Sequence, residues 1–316
     1  MQLNLHRLWI FMTVVECGGF SAAAQKLYLS QPSVSHQVRQ LEQGLRTTLI
    51  DRSGARIRLT PEGEVMLEYA RRVFLLADEA VAAIRQVSGL QTGTLVAGGT
   101  TTVGTYLLPP LLAAFRDRHP GIEIGIQVGN AQQVERGLVD GDIGVAVLAG
   151  EPSAAQLVSE PILEDRLVLI THPGHRLSSR AVVAGSAPSH TAEPEELAGE
   201  LFLIREPGSS TRELQERALE TWGLAAAGRT EIWGPETIKQ AVAAGLGVSL
   251  LSEHCVEQEL ADGRLAAVAV APVPQPRPIV LAHRRDRLLG PAEKAFIDML
   301  RQVRSWPGIN RLRSIS

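Results

Sequence analysis

The chain has 316 residues, 45% hydrophobic and 21% charged, with a net charge of -3; that balance excludes a disordered chain and leaves room for two or three domains with sizeable cores. The charge is uneven: residues 1–60 hold seven Lys or Arg against three Asp or Glu, a surplus of +4 that leaves -7 for the rest. Positive potential is therefore concentrated in the part of the chain best placed to meet phosphates.

In chain order, Leu5, Leu8, Trp9, Met12 and Val15 share one helical face, which predicts a first helix from Leu3 to about Glu16, ended by Gly18-Gly19. Ser21, just before an alanine run, is expected to cap a second helix reaching about Tyr28. Ser30 offers the next cap, and Pro32 suits the first turn of a third helix running to about Leu45. Along it Val34, Val38, Leu41 and Leu45 form a stripe to be buried, while Gln31, Ser33, Ser35, His36 and Arg39 carry the hydrogen-bonding groups that read base edges in a major groove. An ordinary helical hairpin with a solvated polar face is the alternative, and the stretch that follows weighs against it. Arg52 to Thr60 alternates basic and small residues around a glycine turn, as a two-stranded wing placing Arg52, Arg56 and Arg58 on phosphates would.

Phe20-Ser21-Ala22-Ala23-Ala24, Ser30-Gln31-Pro32-Ser33-Val34-Ser35, Gln40-Leu41-Glu42 and Leu59-Thr60-Pro61-Glu62-Gly63 occur in the order and spacing of the winged helix-turn-helix of LysR-type transcriptional regulators, which this segment resembles. Three positions depart from that pattern: Arg46 replaces the glycine that ends the recognition helix, Ile50 replaces a phenylalanine, and His36 stands where many relatives carry arginine. The resemblance reaches to about Arg304. It implies that Ser21, Gln31, Pro32, Ser33, Ser35, His36 and Arg39 belong to the DNA-binding surface of a homodimer, or a tetramer of paired dimers. The expected partners are double-stranded promoter DNA, a small-molecule inducer and RNA polymerase, with no membrane involved.

Thr60-Pro61 predicts a long helix of about 28 residues, roughly 42 Å. Met66, Ala70, Val73, Ala77, Ala80, Ile84 and Val87 recur along it at alternating steps of four and three, a heptad stripe suited to dimerisation. Past Gly89–Gly93, strands alternate with helices in two successive halves, which predicts parallel sheets covered on both faces. Helices are expected at 107–119, 132–140, 211–222, 236–244 and 291–303, and extended segments near 166–171 and 265–270 would join the halves. The expected architecture is an all-α winged helix-turn-helix head (1–60), a linker helix (61–89), an α/β two-lobed periplasmic-binding-protein-like domain (90–305) and a tail (306–316). The stretch SSRAVVAGSAPSHTAE, residues 178–193, reads as a surface loop.

Thr100, Thr101 and Thr102 fall at a strand-to-helix turn, where hydroxyls and free amides suit an anion, although capping alone would also employ one of them. The resemblance places inducer contact at this turn. Arg205-Glu206-Pro207-Gly208-Ser209-Ser210-Thr211-Arg212 is the matching turn of the second half and resembles the family's RExGSxTR stretch; Arg205 could neutralise a ligand carboxylate or pair with Glu206 at the surface. Asn130 and Thr237 are expected to face the same cleft, at strand carboxyl ends. The sequence has no GxSxG, HExxH, CxxC or GxxxxGK stretch, its eight histidines are scattered, and Cys17 and Cys255 fit no redox or metal spacing. Neither an enzyme nor a cofactor or metal is therefore expected. Without an export-signal pattern or an apolar run of about 18 residues, the protein is expected in the cytoplasm. A solute-binding or sensor protein without transcriptional control is the competing reading; it fits residues 94–303 and fails on the head.

Overall fold

The computed structural model describes residues 3–52, 57–87, 93–178 and 191–306. The chain divides into two units, Met1–Val87 and Ser88–Ser316.

In the first unit, α1 (Leu5–Glu16) is capped by Asn4, whose side chain accepts from the Arg7 amide at 3.0 Å. It buries Leu8, Ile10, Phe11 and Val14 against α2 (Phe20–Leu27) and α3 (Gln31–Leu45), which contribute Ala23, Ala24, Val34, Val38 and Leu41. Ser21 is not the cap of α2. The Gly19 carbonyl already accepts from Ala23, so the helix begins two residues earlier and leaves Ser21 exposed in the first turn. Ser30 does cap α3, accepting from the Ser33 amide at 3.3 Å, with Pro32 in the first turn. Arg46 takes the left-handed conformation at φ 56° and closes α3 as glycine would, with the Thr47 amide bonded to the Glu42 carbonyl. Ile50 is buried in the head core.

The wing pairs β1 (Ile50–Asp51) antiparallel with β2 (Arg58–Leu59). Helix α4 (Pro61–Val87) follows, its start fixed by Thr60, whose hydroxyl donates to the Thr48 carbonyl and accepts from the Gly63 amide. Gly63 has no room for a side chain, since a Cβ there would lie 2.0 Å from the Leu49 carbonyl oxygen. Met66 and Ala70, two positions of the expected heptad stripe, pack instead into the head core with Leu67 and Phe74. Farther along, Leu76, Val81 and Ile84 are exposed.

The second unit has two lobes. Lobe I is a five-stranded sheet in the order β4-β3-β5-β12-β6, from β3 (Gly93–Thr100), β4 (Ile122–Gly129), β5 (Val145–Ala149), β6 (Leu157–Asp165) and β12 (Arg277–Arg284). Strands β3, β4 and β5 are parallel, but β12 is antiparallel to both neighbours, so the sheet is mixed where a parallel one was expected. The cause is connectivity: β6 leads toward lobe II and β12 is the returning chain. Helices α5 (Thr101–Tyr106), α6 (Leu108–Arg118), α7 (Ala131–Asp140) and α11 (Pro291–Leu300) accompany this sheet. The single helix expected at 107–119 is preceded by α5, because Pro109 and Pro110 cannot donate amide hydrogens and so open a new helix rather than prolong one.

Lobe II centres on β7 (Leu167–Thr171), flanked antiparallel by β10 (Ser249–Ser252) and β11 (Ala266–Val268), while β8 (Phe202–Ile204) runs parallel to β9 (Arg229–Glu231). Its helices are α8 (Ser210–Thr221), α9 (Pro235–Ala243) and α10 (Glu253–Ala261). Where the chain crosses between lobes, buried Asp165 accepts from Arg277 Nε and Nη2 at 2.8 and 2.7 Å and from the Ser252 hydroxyl at 2.5 Å. Most of the expected surface loop, residues 179–190, lies outside the described residues; near its end Ala192 departs from the expectation, since it is buried and bridges to Val270.

Candidate functional site

The outer face of α3 presents Gln31, Pro32, His36 and Arg39 as exposed side chains, with Ser33 and Ser35 half-buried between them. Gln40 Nε2 lies 2.8 Å from His36 Nε2, a hydrogen bond one helical turn apart that fixes the direction of the imidazole. Arg52 is less available than its place in the wing suggests. Its Nη2 donates to Glu42 Oε2 at 2.9 Å and its guanidinium lies 5.1 Å from the centre of the Phe20 ring. Glu42 also accepts the Leu49 and Ile50 amides at 2.9 and 3.2 Å, so it joins the recognition helix to the wing. The sequence motif holds this glutamate, but its role appears only when the wing folds back onto α3. Arg58 is exposed on β2, and Arg56 lies outside the described residues.

In the second unit, Thr100, Thr101, Thr102, Asn130, Arg205, Ser209 and Ser210 converge on one cavity, together with Ala131, Ala149 and Thr211. Topology explains the convergence: β3 and β4 of lobe I end at the starts of α5 and α7, β8 of lobe II ends shortly before α8, and all three strand ends face the gap between lobes. Thr100 accepts from the Ala149 amide at 3.0 Å, which takes up its hydroxyl within lobe I. Thr101 donates to the Gly129 carbonyl and accepts from Arg205 Nη2 across the gap, both at 3.2 Å. Asn130 caps α7, and its Nδ2 donates to the Pro207 carbonyl at 3.3 Å; the Gln132 amide donates to the Gly208 carbonyl at 3.2 Å. The lobes are thus drawn together, and the cavity, about 10 Å³, has room for about one water.

Arg205 and Glu206 form a buried two-pronged pair, at 2.8 and 2.7 Å, rather than a surface one. Burial alone would raise the Glu206 pKa, but the Arg205 guanidinium and the Gly234 amide hold it below its usual value. Gln215, which the sequence reading missed, supports this turn from underneath: its Oε1 accepts the Arg205 amide and its Nε2 donates to the Leu250 carbonyl. Ser209 is the N-cap residue of α8 and makes no side-chain capping bond, while Ser210 and Thr211 accept from Arg277 Nη1 at 3.4 and 3.0 Å. Thr237 is not part of the cleft. Helix α9 starts at Pro235 and buries Pro235, Ile238, Lys239 and Val242, which turns Thr237 to solvent.

At the far end of α5, Tyr106 reaches lobe II. Its hydroxyl accepts from Lys239 Nζ at 2.8 Å and donates to Glu236, and Lys239 also meets Glu259 at 3.0 Å. Burial pushes the Tyr106 hydroxyl far above the ordinary phenol range and the nearby Cys255 thiol up to about 11. Beside the cleft, a groove of about 1170 Å³ runs along α7 and α8 to Pro272–Pro278, sharing Ala131 and Ser210 with it. No group of three or more His, Cys, Asp or Glu able to hold a metal occurs among the described residues.

Residues 5–64 match the family model for the bacterial regulatory helix-turn-helix protein, lysR family, and residues 88–305 match the LysR substrate binding domain. The chain belongs to the LysR family. As the family's architecture dictates, it is a DNA-binding transcriptional regulator with an effector-binding domain. It is 36% identical over 296 residues to the HTH-type transcriptional regulator CfxR of Cupriavidus necator, covering 93% of this chain and 89% of that protein. It is 32% identical over 296 residues to a RuBisCO operon transcriptional regulator of Allochromatium vinosum, covering 94% and 95%. The regulatory domain of CcmR from Synechocystis, solved in complex with 2-PG, is similar at 27% identity and a TM-score of 0.57, covering 66% of this chain and 96% of that one.

Proposed function

We propose that this LysR-family regulator controls a promoter of the RuBisCO-operon type, and that a small anion bound between Thr100–Thr102 and Ser209–Thr211 gates it. The observation that carries the reading is the convergence of three helix starts, α5 and α7 from lobe I and α8 from lobe II, on one buried polar cavity closed by the Arg205-to-Thr101 bond. Helix α8 lacks a side-chain cap, and unsatisfied first-turn amides favour negative charge. The names of the relatives support the promoter class, and the CcmR complex supports a small ligand in this domain. In the head, Gln31, Ser33, Ser35, His36 and Arg39 meet base edges or adjoining phosphates, and Arg56 and Arg58 meet phosphates, while Arg52 chiefly holds the wing to α3. The regulator works in the cytoplasm as a homodimer or tetramer, acts with RNA polymerase and has no catalytic activity of its own. Among the described residues no helix is long and apolar enough to cross a membrane.

The test is thermal unfolding of the full-length chain with 2-PG, inorganic phosphate and sulfate. At least one should raise the melting temperature by binding the folded state. Thr101→Val and Ser209→Ala should each shrink that rise while leaving operator binding without ligand nearly unchanged. Rises that both substitutions leave intact would move sensing away from this cleft.

A further inference from the structure

Tyr28 combines two features that folding of the head does not explain in an aromatic residue. Its side chain is 96% exposed, and its backbone sits in the left-handed region at φ 55°. Among the described residues, only Arg46 shares such a φ without being glycine. The position itself is structural: the Tyr28 amide donates to the Gln25 carbonyl and the Leu29 amide to the Ala24 carbonyl, a closure of α2 that glycine makes without strain. The aromatic ring is what lacks a reason. It belongs to no core cluster, while α2 and α3 bury their own apolar residues beneath it. Its hydroxyl makes no hydrogen bond to another described residue.

Tyr28 stands two residues before Ser30, the cap of the recognition helix. In helix-turn-helix docking the first helix crosses the sugar-phosphate backbone while the start of the second enters the major groove. The turn between them is therefore above the strand that borders the groove. We propose that Tyr28 is a DNA-positioning residue: its phenol hydroxyl donates to a backbone phosphate at the edge of the major groove and its ring lies against the adjoining deoxyribose. Strain at an exposed aromatic is then retained for a contact outside the subunit. Because the phenol is neutral, the contact adds affinity without adding to counterion release. It fixes the register of α3 on the duplex and reads no base.

The inference rests on the DNA-binding reading of the head, and the experiment separates the two. Full-length wild type, Tyr28→Phe and Tyr28→Gly are titrated against an operator selected by the wild type from random DNA, at several salt concentrations, and each is melted without DNA. Tyr28→Gly should melt at or above the wild-type temperature yet bind operator and random DNA each about three- to tenfold more weakly per head, the range for one lost neutral hydrogen bond. Tyr28→Phe should show part of that loss, and all three salt slopes should agree. Unchanged affinity in Tyr28→Gly, or a drop in its melting temperature, would overturn the inference alone. A wild type that does not distinguish operator from random DNA would overturn the reading of the head and the inference with it.

Discussion

Arg205 and Glu206 are adjacent in sequence, and an ion pair between neighbours is ordinarily a surface feature contributing under about 1 kcal/mol. Here the two residues are only 2% and 4% exposed, so the pair must be judged as a buried one. Removing one partner from such a pair leaves an uncompensated charge, and Arg205→Ala should destabilise the second unit by about 3–5 kcal/mol at neutral pH. The pH dependence has a definite sign. Glu206 has a folded pKa below its ordinary 4.5, so its interactions contribute stability above pH 4.5 that is lost as the pH falls through the folded value. In the variant, acid neutralises the stranded carboxylate, so the stability gap to wild type should narrow as the pH is lowered. Urea denaturation at pH 7 and near pH 4 measures this, and an equal gap at both would show that the pair is not what holds the turn. The sequence displayed this arginine and glutamate plainly within a motif, but not their burial. That depends on Gln215 and Gly234, ten and twenty-eight residues farther on.

Periodicity in sequence locates an element well, whereas its partners depend on where distant chain returns. The alternation of strands and helices after Gly93 was legible because apolar runs and caps are local. The direction of β12 was not, since only the crossing between lobes determines it. Thr237 was placed in the cleft by topology, as a residue opening a helix after a strand, but the face of α9 that is buried holds Pro235, Ile238, Lys239 and Val242, and at about 100° per residue Thr237 falls outside it. Helix α4 shows the same limit. Its heptad stripe was real in sequence, yet Met66 and Ala70 serve the head core; among the described side chains Ala77 and Ala80 stay exposed, as do the large apolar residues Val65, Tyr69, Leu76, Val81 and Ile84, each of these five about half exposed or more. If these face a second copy, Ile84→Glu places a charge in an apolar seam. Self-association should weaken roughly 100-fold, with the melting of the head unchanged at dilutions where the wild type is also dissociated, because Ile84 is 67% exposed in one subunit. Sedimentation equilibrium would decide: an undiminished oligomer would place the self-association surface elsewhere.

For the effector domain as a whole, the closed cleft sets the direction of any switch. A ligand shifts an equilibrium only by its differential affinity for the two arrangements. With about 10 Å³ between Thr100–Thr102 and Ser209–Thr211, an inducer larger than water requires the lobes to part. Parting breaks the bonds from Arg205 to Thr101, from Asn130 to Pro207 and from Gln132 to Gly208. It also withdraws Tyr106 from Lys239 and Glu236, because α5 carries Thr101 at one end and Tyr106 at the other. Tyr106→Phe removes the hydroxyl that joins the lobes while Lys239 keeps Glu236, Glu259 and the Cys255 carbonyl, so the buried ammonium stays compensated. The closed arrangement should then lose about 1 kcal/mol, and an anion that binds the open one should gain about fivefold in affinity. Calorimetric titration of wild type and variant with whichever anion raises the melting temperature reads this directly. Weaker binding by Tyr106→Phe would mean instead that closure around the ligand is the induced state, with the Tyr106 hydroxyl helping to hold it.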